Sequence, residues 1–128
     1  MTVLYAQTSS TLSTNASQFT PIPGLTVVLP EGVDLLALVV LNLPNPYAEG
    51  NNFPGATLGI SVNGTVSPVQ ASFTYGVQAP VSFNRMPTTL VVGIRLTSKL
   101  QSVQALWYGV RGSTVIIDSP STLSAFID

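Results

Sequence analysis

Ala56-Thr57-Leu58-Gly59-Ile60-Ser61-Val62-Asn63-Gly64-Thr65-Val66 decides the fold class of this chain. A β-rich run ends directly on Asn63-Gly64, and a second β-rich run follows. Both central residues of a type I′ turn need φ > 0, which Asn and Gly tolerate, so the two runs form an antiparallel hairpin. Working outward, the same punctuation recurs. Ten Pro and ten Gly break the chain at short intervals, and β-branched residues fill the gaps. No sustained 3.6-residue apolar period appears, which argues against helices. Strands are expected at 3–8, 18–20, 25–29, 35–43, 56–62, 66–75, 88–96, 102–110, 114–118 and 123–127. About ten short strands with long crossovers indicate an all-β jelly-roll sandwich rather than an up-and-down meander. The chain reads as a single domain over residues 1–128, without internal repeats.

Two stretches stand apart. Leu35-Leu36-Ala37-Leu38-Val39-Val40-Leu41 is the longest apolar run. It is far shorter than the roughly 20 residues of a membrane-spanning helix and reads as a strand buried on both faces. Residues 44–55 are expected to be a long loop, kept out of any sheet by three prolines and two glycines. A loop of that length in a compact domain is often a binding loop.

Charged residues make up 7% of the chain, against roughly 25% in ordinary domains. Little charge repulsion keeps copies apart, and 45% of the residues are apolar. This favours a permanent homo-oligomer whose subunits cover each other's apolar faces. A monomer with a Ser/Thr-rich surface is the alternative. A net charge of −1 gives no electrostatic footprint for nucleic acid. No polybasic or amphipathic segment suggests membrane insertion. The start, Met1-Thr2-Val3-Leu4-Tyr5, lacks the basic region and apolar core of a signal peptide. Cysteine is absent, so disulfides contribute nothing.

The chain contains no histidine. That removes the usual general base, the commonest metal ligand and any Ser-His-Asp arrangement. Without Cys or His, zinc and copper sites are not expected. The acids are Glu31, Asp34, Glu49, Asp118 and Asp128. They form no local cluster of the kind calcium needs, and only Glu31 with Asp34 offers a weak candidate for a glycosidase pair. No cofactor is expected, and the chain does not read as an enzyme.

What remains is binding. Only Arg85, Arg95, Lys99 and Arg111 are basic. Arg85 and Arg111 each lie in a loop-like segment crowded with hydroxyls and aromatics: Pro80-Val81-Ser82-Phe83-Asn84-Arg85-Met86-Pro87, and Trp107-Tyr108-Gly109-Val110-Arg111-Gly112-Ser113. In so uncharged a protein an arginine near a turn is expected to have a dedicated partner. A guanidinium donates two parallel bonds to adjacent hydroxyl oxygens, and a tyrosine offers both a ring face and a phenol. Tyr47, Tyr75, Arg85 and Arg111 are therefore the candidates for a neutral, polyhydroxylated ligand. The plainer alternatives are loop packing for Tyr47 and a half-buried strand aromatic for Tyr75. Trp107 reads as core, and Arg95 as part of a solvated sheet face.

Ile22-Pro23-Gly24-Leu25, Pro46-Tyr47-Ala48, Gly50-Asn51-Asn52-Phe53-Pro54-Gly55, Phe73-Thr74-Tyr75, Arg85-Met86-Pro87, Val110-Arg111-Gly112-Ser113, Ile117-Asp118-Ser119 and Leu123-Ser124-Ala125 follow in this order over almost the whole chain. The pattern resembles the tumour-necrosis-factor-like fucose-binding lectin domain at the N-terminus of a Burkholderia superlectin. The resemblance implies a compact homotrimer with three sites for fucosylated glycans, each between neighbouring subunits. It implies Tyr47, Ser82 and Arg85 from one subunit, and Thr74, Tyr75 and Arg111 from its neighbour. Two contact positions depart from the pattern: Thr57 stands where the family has a tyrosine, and Phe83 where it has a threonine. The expected function is calcium-independent recognition of α-L-fucosylated glycans. The alternatives are a structural trimer or adhesion head with a decayed site, and a lectin with shifted monosaccharide specificity.

Overall fold

The computed structural model describes residues 1–80 and 84–128. Its regular elements are all strands: β1 (Thr2–Gln7), β2 (Leu12–Thr14), β3 (Thr20–Leu29), β4 (Leu36–Leu43), β5 (Pro46–Glu49), β6 (Gly55–Val62), β7 (Thr65–Val66), β8 (Ala71–Thr74), β9 (Thr88–Arg95), β10 (Gln101–Val110), β11 (Thr114–Ile117) and β12 (Thr122–Ile127). One sheet runs β1-β12-β4-β9. A second runs β3-β10-β6-β7, with β8 also on β6, and a small third runs β2-β11-β5. All the pairings are antiparallel, and the non-consecutive neighbours give the crossovers of a jelly roll.

Strand alternation builds the core. Ala37, Val39, Leu41 and Leu43 of β4 point inward. From the second sheet Val103, Ala105 and Trp107 of β10 do the same, in register with Val27, Ile60 and Leu58 respectively. Trp107 is core, as its sequence position suggested. The Asn63-Gly64 turn has the expected geometry, with φ of 50° and 84°.

Four expectations need correction. The apolar run in β4 is buried on one face only: Leu36 and Leu38 are exposed, Leu38 to 46%. This chain's own core covers just the inner side of that sheet. Residues 46–49 do join a sheet. Pro46 is the first residue of β5, an edge strand, where a missing N–H removes no ladder bond. The expected strand 66–75 is split into β7 and β8, because Pro68 cannot donate to a ladder and the Ser67 side chain accepts from Val69 N at 3.1 Å in a local turn. Of the expected strand 18–20 only Thr20 is in a strand, and it is continuous with 25–29 in β3. A register irregularity on β10 between Gln104 and Leu106 accommodates the Pro21-Pro23-Gly24 stretch.

Candidate functional site

β5 carries Tyr47 and holds the Arg85 segment along its free edge. One edge of β5 pairs with β11, Tyr47 lying opposite Ile116. On the other edge Met86 N donates to Pro46 O at 2.9 Å, and Ala48 N donates to the Tyr75 hydroxyl at 3.1 Å. The same hydroxyl donates to Asn84 O. Tyr75 is 6% exposed, so it acts as a buried rivet between β5, the end of β8 and the residue before Arg85. Burial raises its pKa above the ordinary 10.0, against smaller lowering effects from the Ala48 N–H and the Arg85 charge.

Arg85 is fixed on three sides. Nη1 donates to Asp118 Oδ1 at 2.7 Å and Nη2 to Asp118 Oδ2 at 2.9 Å, an end-on bidentate pair. Nη1 also donates to Asn45 O at 3.1 Å. The Tyr47 ring lies against the guanidinium, 4.4 Å from its carbon to the ring centroid. Asn45 is tied in turn to Ser119 through Nδ2 to Oγ at 3.3 Å. Asp118 and Ser119 also line a cleft of about 200 Å³ with Ser9, Ser10, Thr11 and Pro120. The dedicated partner expected for Arg85 is thus a carboxylate of its own chain.

Arg111 forms a second, separate cluster. It sits with Gly112 in the turn between β10 and β11, closed by Ser113 N to Val110 O at 3.0 Å. Its φ of 50° is in the left-handed region, a conformation that costs a non-glycine residue about 1–2 kcal/mol. Nε donates to Asn52 O at 2.9 Å and Phe53 O at 3.1 Å. Nη2 donates to Phe53 O and to Thr74 Oγ1, the latter at 3.2 Å. Close backbone approach makes this possible. Gly55 N donates to Ser113 Oγ at 3.1 Å, and a Cβ on Gly55 would meet Phe73 O at 2.1 Å. Among the described residues of one chain, the hydrogen-bond partners of Arg85 and of Arg111 have no residue in common.

Tyr47 and Arg85 therefore come together in one cluster, and Thr74 and Arg111 in another, with Tyr75 buried beside the first. Thr57 is 5% exposed, and its hydroxyl bonds to Ser72 Oγ at 3.0 Å. Ser82 and Phe83 lie outside the described residues. Sequence reasoning missed Asp118, Asn45 and Phe53 as partners. For Asp118 a signal existed: with five acids in the chain, an arginine needing a dedicated partner has few choices, and Asp118 directly follows a short apolar strand. Asn45 and Phe53 act through backbone carbonyls, which no side-chain pattern reveals. Among the described residues, no group of three or more His, Cys, Asp and Glu could hold a metal ion. Among the described residues, no helix is long and apolar enough to cross a membrane.

No curated protein matches the chain. Among solved structures, the Eiger tumour necrosis factor from S. frugiperda aligns over 96% of this chain and 90% of its own, with a TM-score of 0.50 and 11% identity. At that identity the likeness concerns the fold alone, a tumour-necrosis-factor-like jelly roll. The Bc2l-C N-terminal domain family matches residues 5–126. With nearly the whole chain covered, the protein belongs to the Bc2l-C N-terminal domain family.

Proposed function

We propose that the protein is a lectin that binds α-L-fucosylated glycans, without calcium and without catalysis, as a homotrimer with its sites between subunits. Membership of the Bc2l-C N-terminal domain family, a lectin-type domain on the tumour-necrosis-factor fold, supports the class. The observation that carries the reading is the pair of arginine clusters. Among the described residues, each guanidinium is anchored by its own chain through only part of its donor set. Each exposed cluster has the character of half a site. One half is Tyr47 and Arg85, with Ser82 and Phe83 in the adjoining segment. The other is Thr74 and Arg111 of the neighbouring subunit, with Tyr75 next to Thr74 in sequence and Thr57 opposite Ser72 on the adjoining strand.

The outer face of the β1-β12-β4-β9 sheet supports the assembly. In register across it run Val3, Phe126, Leu38 and Gly93, and then Tyr5, Ser124, Val40 and Val91. Val3, Tyr5, Leu38, Val91 and Phe126 are all exposed in the single chain. A contiguous apolar sheet face on a chain with so little charge fits coverage by further copies of itself. Selectivity then arises from the donors: a wrong epimer leaves one unpaired, at about 1–3 kcal/mol each.

The test is a glycan array, with calorimetry on methyl α-L-fucoside and solution mass by light scattering. Arg85→Ala and Arg111→Ala should each keep a trimeric mass and lose fucoside affinity by about 1.5–3 kcal/mol or more. A chelator should change nothing. Undiminished fucoside binding in either variant removes the shared-site reading. A trimer that binds no sugar on the array is a structural trimer instead.

A further inference from the structure

Asp118 belongs to none of the roles assigned so far, yet it makes the most complete contact in the Arg85 cluster. We propose that Asp118 is a positioning and specificity residue: its end-on pairing with Arg85 presents one edge of the guanidinium to ligand and balances its charge, so that this half of the site takes two neutral hydroxyls and refuses an anion. This rests on the fucoside reading above.

Donor accounting supports it. A guanidinium has five N–H groups in a fixed plane. In Arg85, Nη1 uses both of its hydrogens, on Asn45 O and Asp118 Oδ1, and Nη2 uses one on Asp118 Oδ2. Among the described residues, Nε–H and the second Nη2–H have no acceptor. By the covalent geometry of the group these two lie parallel on one edge, away from Asn45. The Tyr47 ring covers one face and prevents the plane from rolling. The result is a pre-aimed pair of donors whose direction is set by Asp118.

The stability of the fold does not explain this pair. Both side chains are about one-third exposed, 34% and 32%, and ion pairs in such positions add little net stability. Arg111 supplies an internal contrast. Among the described residues its acceptors are two backbone carbonyls and one hydroxyl, with no carboxylate among them, and its Nη1 hydrogens are the ones left over. The two arginines therefore differ in kind: one offers an edge and is charge-balanced, the other offers an end and keeps its full charge. An anionic substituent approaching the Arg85 edge meets the Asp118 carboxylate within a few ångströms, and like charges at that range repel.

The test uses the full chain, calorimetry, and four probes: methyl α-L-fucoside and its 2-, 3- and 4-monosulfates. The intact protein should bind the neutral fucoside at least about tenfold more tightly than at least one of the sulfates, the ester whose group faces Arg85. Asp118→Asn keeps the shape but puts a donor against Nη2. It should bind the neutral fucoside about tenfold more weakly and narrow the neutral-over-sulfate ratio by about tenfold for at least one ester. Asp118→Glu, which keeps the charge, should retain the discrimination. In an Arg85→Ala background, Asp118→Asn should have no further effect, which a merely structural role would not produce. If Arg85→Ala loses binding while Asp118→Asn keeps both affinity and discrimination, the proposal is overturned and the fucoside reading stands. If Arg85→Ala itself binds normally, both fall.

Discussion

Tyr75 shows how one buried atom organises an exposed site. Its hydroxyl accepts from Ala48 N and donates to Asn84 O, so the strand bearing Tyr47 and the residue before Arg85 share a single anchor. Tyr75→Phe leaves the buried Ala48 N–H without an acceptor, and thermal unfolding should show a loss of about 1–3 kcal/mol. The pH dependence has a definite sign. The folded pKa is raised above 10.0 by burial. The unfolded phenol therefore ionises first as pH rises. The hydroxyl's contribution is complete below pH 10 and is lost as pH climbs through the folded value. The stability gap between the wild type and Tyr75→Phe should accordingly shrink above pH 10. Arg111 makes the opposite bargain with its backbone. At φ 50°, Arg111→Gly relieves strain while removing exposed hydrogen bonds, so urea unfolding should change by under about 1 kcal/mol even as fucoside binding is lost. Sequence reading singled out Arg111 by its scarcity and its turn-like setting. It left Tyr75 open between ligand contact and packing, because the partners of its hydroxyl are backbone groups, one of them 27 residues away.

Among the elements, the strands whose residues alternate or lie in long β-branched runs were legible: β4, β6, β9, β10 and β12 are close to where periodicity puts them. β2 and β5 were not. Both are short, polar or proline-led strands on the small third sheet, and they exist because β11 supplies a partner on each side. That is a tertiary cause with no local signature. The consequence matters for the site, since β5 converts an expected binding loop into a rigid platform for Tyr47. The junction of β6, β8 and the Arg111 turn depends on close approach instead. Gly55→Ala places a Cβ 2.1 Å from Phe73 O and 2.9 Å from the Thr74 Cα. Backbone atoms cannot swing aside, so β8 must shift. The expected cost is about 1–3 kcal/mol by thermal or urea unfolding. Because Thr74 Oγ1 is an acceptor for Arg111, fucoside affinity should fall in the same variant although Gly55 touches no ligand. A variant of wild-type stability and affinity would show that the approach is looser than described.

For the molecule as a whole, the composition pointed to assembly, and the exposed apolar face of the β1-β12-β4-β9 sheet is where the proposed trimer would pack. Composition could not show how two arginines on one chain divide their work, because under the proposed shared site the answer turns on which chain's arginine stands opposite. Complementation between inactive variants tests the division directly. Arg85→Ala and Arg111→Ala protomers are given different affinity tags, co-expressed and purified through both tags, so that every trimer recovered is mixed. In a cyclic trimer with two protomers of one kind and one of the other, a site is whole only where an Arg111→Ala protomer contributes Arg85 to an Arg85→Ala neighbour that contributes Arg111. Going once around the ring, this happens at one of the three interfaces, so the mixed trimer should regain about one third of the wild-type number of fucoside sites at wild-type affinity per site. Each pure variant should bind little. If both arginines served a site within one protomer, no mixture could rebuild it, and the mixed trimers would remain as inert as their parents.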